Sequence, residues 1–290
     1  MSTFSAIDLN QLPAPDVVES MDYITILATI KAEFKTRAPE QAAVLDLTSE
    51  PLVKLLETFA YREMLLRQRI NDAAQAVMLA KATGTSLDHL AALFGVQRQV
   101  VTEGDASALP PVAAVNEDDA RLRQRVQLSL EGHSTAGPSG SYMYWGLSAH
   151  ASITDVTVYS PAPGTVNITI LTDQGTPEDA ILDAVRTQLA DKRPLCDTVV
   201  VAGAVWLDYT VRAALTIPSG PEATVVRAAA QTALQTYLAA RQKIGGQVPH
   251  SGIVAALHQS GVERVVVTEP SGDVLATDPQ TPRCTQIDIT

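Results

Sequence analysis

At Gly137-Pro138-Ser139-Gly140 the apolar spacing of this sequence changes its period, and that change limits the folds open to it. Upstream, apolar residues recur every three or four positions, as on one face of a helix. Downstream, from Val156, Val158 and Tyr159, they alternate, as on one face of a strand. Two glycines and a proline in four residues fit no regular element, so the tetrapeptide reads as an elbow between two architectures. Before it, Asn116-Glu117-Asp118-Asp119 reads as a helix start, with Asn116 as cap and acidic residues favoured by the helix dipole. That helix runs through Arg121, Leu122, Arg123, Arg125, Val126 and Leu128 to Gly132. After the elbow, 141–150 reads as a short aromatic helix. The expected class is α+β: an N-terminal long-helix region followed by two small related α/β units.

The helical part begins with an extended arm over 1–15. Asp16 can cap a helix reaching Phe34, with Val17, Met21, Ile24, Leu27, Ile30 and Phe34 in one stripe. Thr48-Ser49-Glu50-Pro51 then opens the longest element, with proline in the first turn, where its missing N–H costs little. Leu52, Leu56, Phe59, Leu66, Ile70, Ala73, Val77 and Ala80 follow a four-three spacing interrupted only by Glu63, which is a heptad seam ended by Gly84. Such a helix would be roughly 45–50 Å long. Val53, Ala60, Met64, Ala74 and Met78 form a second row. Two readings stay open: the seam packs on the preceding helix of its own chain, or it enters an intermolecular bundle, being longer than that shorter helix can cover. A helix over 86–94 follows, closed by Gly95, and 96–115 reads as a loop or small hairpin.

Beyond the elbow, 153–159 and 166–171 read as strands joined at Pro161-Ala162-Pro163-Gly164, a hairpin. A helix over 177–189, strands over 196–201 and 206–217, helices over 221–240 and 250–259, and strands over 262–268 and 286–289 complete the chain. The pattern repeats. Ser148-Ala149-His150 before a strand and Pro161 matches His258-Gln259-Ser260 before a strand and Pro270; Thr176-Pro177-Glu178 matches Gly220-Pro221-Glu222. The expected domains are therefore 1–95 (bundle-forming helices), 96–136 (connection and helix), 137–203 and 204–290 (the two α/β units).

The net charge of -11 disfavours a general nucleic-acid or phosphate-binding role. Cys196 and Cys284 are the only cysteines, far apart and without histidines at ligand spacing, which suits a reducing compartment and gives no zinc pattern. Neither a signal peptide nor a stretch near the ~20 apolar residues of a membrane span is visible, so a soluble protein made in a cytoplasm is expected. Gly132-His133-Ser134-Thr135-Ala136 approximates a nucleophile elbow but ends in alanine and follows a helix rather than a strand. His250 and His258 lack a carboxylate partner for metal. His133 and His150 flank the elbow and read as hydrogen-bonded surface residues. Glu117, Asp118 and Asp119 point in different directions on a helix start and read as a solvated cap. Gly245-Gly246 lacks the rest of a phosphate cradle. No catalytic, cofactor or metal constellation emerges.

Several motifs, in this order, give the chain a family resemblance. They are Leu66-Arg67-Gln68-Arg69-Ile70-Asn71, then Ala82-Thr83-Gly84-Thr85-Ser86-Leu87-Asp88 before Gly95-Val96, then Glu117-Asp118-Asp119 with Arg121 and Arg125. The Gly137 elbow with Tyr142, Gly164-Thr165-Val166 and Arg193-Pro194-Leu195-Cys196-Asp197-Thr198-Val199 follow. Over about 50–205 this set resembles the J-type baseplate wedge proteins of contractile-tailed phages and phage-tail-like bacteriocins; Cys196 stands where threonine is expected. Gly84, Leu87, Asp88, Arg125, Gly137, Arg193, Pro194 and Asp197 are then structural motif residues. The resemblance implies no enzyme and no cofactor, but a wedge subunit present twice per wedge. Its implied partners are a second copy of itself, a second wedge protein of the I type, a small lysozyme-like wedge protein of the W type, and hub, spike and sheath components, with neither nucleic acid nor membrane. Long N-terminal helices would share a bundle, with Leu52, Leu56, Phe59, Leu66, Ile70, Ala73 and Val77 as the interface. The α/β units would pair between wedges into a ring that rearranges to trigger sheath contraction. An adaptor of a non-phage contractile injection or secretion system, and a hydrolase using Ser134, are the alternatives.

Overall fold

The computed structural model describes residues 7, 9–13, 15, 22–218 and 222–290. The chain forms two compact units, one ending at Gln97 and the other beginning at Arg98.

In the first unit, α1 (Tyr23–Arg37) starts at Asp22, whose carboxylate accepts the Ile24 N–H at 3.0 Å and so satisfies an otherwise orphaned donor. The expected cap Asp16 and the stripe residues Val17 and Met21 lie outside the described residues. A 3-10 segment, Pro39–Asp46, leads to α2 (Pro51–Ala76). Leu45, Val53 and Leu56 form a core with Leu27, Ile30, Phe34 and Leu52, which fastens the start of α2 to α1. The helix has 26 residues, so it is about 39 Å long and ends eight positions before Gly84. No breaker occupies 77–83. There Lys81 and Ala82 both donate to the Met78 carbonyl, and Ala82 is drawn into the interior at 1% exposure, so packing overrides helix propensity.

Gly84 has a positive φ of 52°, but it opens α3 (Gly84–Ala92) rather than closing α2. Gly95 does close a helix. At φ 70° its N–H meets the Ala92 carbonyl while the Val96 N–H meets Ala91, the paired bonds of a Schellman motif, and Val96 is buried beside them.

The second unit opens with a small antiparallel hairpin, β1 (Val100–Thr102) and β2 (Val115–Asn116). Then come α4 (Asp119–Gly132) and α5 (Ser139–Ala149). The first sheet comprises β3 (Ile153–Ala162), β4 (Thr165–Thr172) and β5 (Thr198–Gly203), with α6 (Asp179–Ala190) crossing from β4 to β5. The central β4 has β3 antiparallel on one side and β5 parallel on the other.

The second sheet repeats that pattern. Its centre is β6 (Val205–Thr216), followed by α7 (Ala223–Arg241), β7 (Gln247–Val248), α8 (His250–Leu257), β8 (Arg264–Glu269), β9 (Val274–Leu275) and β10 (Gln280–Ile289). β8 lies antiparallel and β10 parallel to β6, while β7 and β9 pair separately. The segments matched in sequence, α5–β3 and α8–β8, thus each end in the antiparallel edge strand, although the two chain orders differ. Val211, Ala213 and Leu215 of β6 pack under Ala230 and Leu234 of α7 and Ile253 and Leu257 of α8. The β10 strand begins six residues before the expected 286.

The two sheets are joined by a specific seam. Leu171, Ala204 and Ile244 pack together with Trp206. Asp155 Oδ2 accepts the Ile244 N–H at 2.9 Å, and Thr169 Oγ1 donates to Asp278 Oδ1 at 3.1 Å. β4 is consequently buried on both faces: Ile168 and Ile170 on one, Thr169 and Leu171 on the other.

Candidate assembly interface

The apolar residues of α2 divide between two faces. Leu56 of the expected seam and Val53 and Ala60 of the second row, spaced three and four apart, are buried, Val53 and Leu56 in the core with Leu45. Phe59, Leu66, Ile70 and Val77 are each more than half exposed, with Leu55 beside them, and Ala73 is exposed too. Leu52 sits at the border of the two faces, half-buried. Of the expected interface residues, Leu56 therefore holds the unit together, and the row from Phe59 to Val77 is open. A surface helix normally keeps one apolar stripe, and it faces the core. Here a second stripe of leucine, isoleucine and phenylalanine lies on the solvent side. Along it, Tyr61, Arg62, Leu65, Leu66 and Arg69 line a concavity of about 310 Å³. Leu87 is fully buried in α3, and Asp88 follows it half-buried.

At the helix preceding the elbow the structure corrects the solvated-cap expectation. The cap of α4 is Asp118, which accepts the Arg121 N–H at 2.7 Å, and not Asn116. Glu117 is buried. Its carboxylate pairs with Arg125 Nη1, accepts the Gln99 N–H at 3.0 Å and lies 3.5 Å from Arg121 Nε. Arg98 donates to the Glu117 carbonyl and to Asp119 Oδ1, both at 2.7 Å. Arg121 Nη2 caps the end of α5 through the Leu147 and His150 carbonyls, each at 2.9 Å. Burial pulls the Arg121 guanidinium downward, and the Glu117 carboxylate opposes that shift. The signal was present in sequence: Glu117, Arg121 and Arg125 recur at four-residue intervals, which puts all three on one face. The network ties β1, α4 and α5 into one block upstream of the sheets.

The elbow is held from the other end of the first sheet. Gly137 has a φ of 69°, and a Cβ there would lie 2.6 Å from Pro194 Cγ. Tyr142 donates to Asp197 Oδ2 at 2.6 Å, and Arg193 donates to the Asp197 carbonyl. Burial first, then the bond to Asp197, pushes the Tyr142 phenol upward. Gly137, Tyr142, Arg193, Pro194 and Asp197, distant in sequence, thus meet at one point. Leu195, between Pro194 and the exposed Cys196, is fully exposed.

Ser134 turns back on its own chain and accepts the Ala136 N–H at 3.4 Å; no histidine or carboxylate bonds to it among the described residues. Nor does any cluster of three potential metal ligands occur among them, or any helix long and apolar enough to cross a membrane.

The sequence matches the profile of the Baseplate J-like N-terminal domain over 48–105, of the Baseplate J-like central domain over 134–203, and of the Baseplate J-like protein C-terminal domain over 209–290. The chain belongs to the baseplate J-like family. Within that family, "Baseplate protein J" of Escherichia phage P2 is 44% identical over 289 residues, covering 97% of this chain and 96% of that protein. A chain of the cryo-EM structure of the anti-feeding prophage (AFP) baseplate aligns with a TM-score of 0.44 at 18% identity, over 61% of this chain; it spans 43% of that chain's length. In this baseplate J-like chain the central profile begins three residues before the elbow, and Glu117, Arg121 and Arg125 fall between the N-terminal and central profiles, while their partners Arg98 and Gln99 lie in the first and Leu147 and His150 in the second.

Proposed function

We propose that this chain is a structural, non-enzymatic subunit of a contractile-tail baseplate and acts there as a wedge component. The observation that carries the reading is the second apolar stripe of α2, exposed over Phe59, Leu66 and Ile70, with Val77 just past the helix end. The stripe enters a helical bundle with other wedge proteins, including a second copy of this chain and a protein of the I type, near one of the W type. The α/β units pair between wedges into a ring around hub and spike, and the ring rearranges so that the sheath contracts. The domain division 1–95, 96–136, 137–203 and 204–290 separates bundle, connection and ring-forming parts.

Native mass spectrometry of the chain, alone and co-expressed with its neighbouring baseplate genes, tests this. A two-to-one complex with a second protein, lost in a Leu66→Asp, Ile70→Asp variant that still folds, is the expected result. A lone monomer in both samples overturns it.

A further inference from the structure

The charges around the open stripe of α2 say what kind of helix covers it. In heptad letters, Leu56, Glu63, Ile70 and Val77 are a positions and Phe59, Leu66 and Ala73 are d positions. Arg62 and Arg69 are g positions, while Ala60 and Arg67 are e positions. The e edge is turned inward, Ala60 being fully buried, so the d and g side is the one offered to a partner. The carboxylates of α2 are already engaged: Glu57 by Lys54 at 2.9 Å, Glu63 by Arg67 at 2.7 Å, and Asp72 by Gln68 at 2.6 Å. Arg62 and Arg69 are exposed and meet no carboxylate among the described residues. On a chain of net charge -11, the open edge of this helix is therefore an unneutralised basic rail beside an apolar row.

A second α2 does not fit that rail. With the e edge turned inward, a second copy can approach only through its own d and g side, which in a parallel pair brings Arg62 and Arg69 beside their own copies. In an antiparallel pair g faces g, which sets Arg62 against Arg69 twice. Both registers juxtapose like charges, an element that acts against the wrong partner.

We infer that α2 docks a non-identical amphipathic helix that carries carboxylates at the heptad positions facing Arg62 and Arg69. This rests on the reading of α2 as an assembly interface and adds the chemistry of its partner. A second copy of this chain joins the bundle through that acidic helix, and not by direct α2–α2 pairing.

The test uses the full chain and two labelled synthetic helices of about four heptads, with identical Leu/Ile seams and either Glu or Lys at both flanks. Fluorescence anisotropy should show the Glu helix binding about tenfold more tightly than the Lys helix at low salt, with the gap closing at high salt. In an Arg62→Glu, Arg69→Glu variant, with helicity unchanged by circular dichroism, the preference should reverse. Equal binding of both helices, abolished by Leu66→Asp with Ile70→Asp, would overturn the charge inference and leave the interface standing. Binding of neither would sink both. Self-association of the chain that is lost in the Arg62→Glu, Arg69→Glu variant would show a second copy on the rail and overturn the inference.

Discussion

Glu117 and Asp118 are neighbours with the same charge, yet burial separates their roles. Asp118 caps α4 at the surface, whereas Glu117 is 3% exposed and neutralises Arg125. A buried charge that loses its partner keeps the desolvation cost without the compensation, typically about 3–5 kcal/mol. Glu117→Gln retains the shape and an acceptor for the Gln99 N–H but removes the charge that neutralises Arg125, so it should lower unfolding stability by about 3 kcal/mol. Asp118→Ala should cost about 1 kcal/mol, the usual value of a helix cap. Denaturant melts of the two variants check this, and similar losses in both would contradict it. The acidic run was legible as a helix start, but not which acid is buried, because that depends on α5 and β1 arriving from elsewhere in the chain. Gly137 shows the opposite case. The elbow was legible from Gly137-Pro138, although Ser139 and Gly140, expected to lie outside any regular element, form the first turn of α5; its reason, the close approach of Pro194 at 2.6 Å to a would-be Cβ, was not.

Among the elements, α2 was the most legible and the most misassigned in detail. Its start at Pro51 and its heptad spacing follow from local pattern. Its end at Ala76 does not, since 77–83 contains no breaker. Nor could spacing assign Leu56 to the inner face and Leu55 to the outer one, because a strip that is apolar on two sides fits either rotation. The two faces differ in a measurable way. Leu56→Ala removes a side chain from the core of Leu45 and Val53 and should cost about 2–4 kcal/mol of folding stability. Leu66→Ala, on a residue 58% exposed, should change stability by less than about 0.5 kcal/mol while weakening the complex with the partner. Equal stability losses, by thermal melts of the chain alone, would mean the stripe is already covered within the chain. Past the elbow, β3, β4, β5, β6 and β8 were read within a few residues by alternation and turn chemistry, while the two-residue β7 and β9 were not read. β10 was underestimated because Pro282 and polar residues hide it, and it is held by parallel pairing to β6 and by Arg283 on Asp208, at 2.7 and 2.9 Å.

For the molecule as a whole, residues 98–290 behave as one body because the two sheets share a seam, and that seam holds a titratable latch. Sequence alternation separated the two α/β units but could not show that β4 is buried on both faces, since the covering residues, Ile244 and Asp278, come from loops. Asp155 sits there, accepting the Ile244 and Val156 N–H groups. Burial raises its carboxyl above the ordinary 3.8; the amide bonds and Lys243 oppose that, and Asp278 adds to it. The folded chain then holds this proton more tightly than the unfolded chain does. The stabilisation from protonating Asp155 is complete below 3.8 and is lost as pH rises through the raised folded value. Asp155→Asn keeps an acceptor for Ile244 and cannot ionise. The variant should therefore gain stability relative to the parent as pH rises from about 4 to 7, with the difference flattening once the folded carboxyl is fully ionised. Guanidinium melts of both proteins at several pH values in that range measure the difference directly. Parallel curves would mean that Asp155 is ionised throughout that range and that its protonation contributes nothing to the seam. A widening gap would make this junction the place where acidification tightens one α/β unit onto the other.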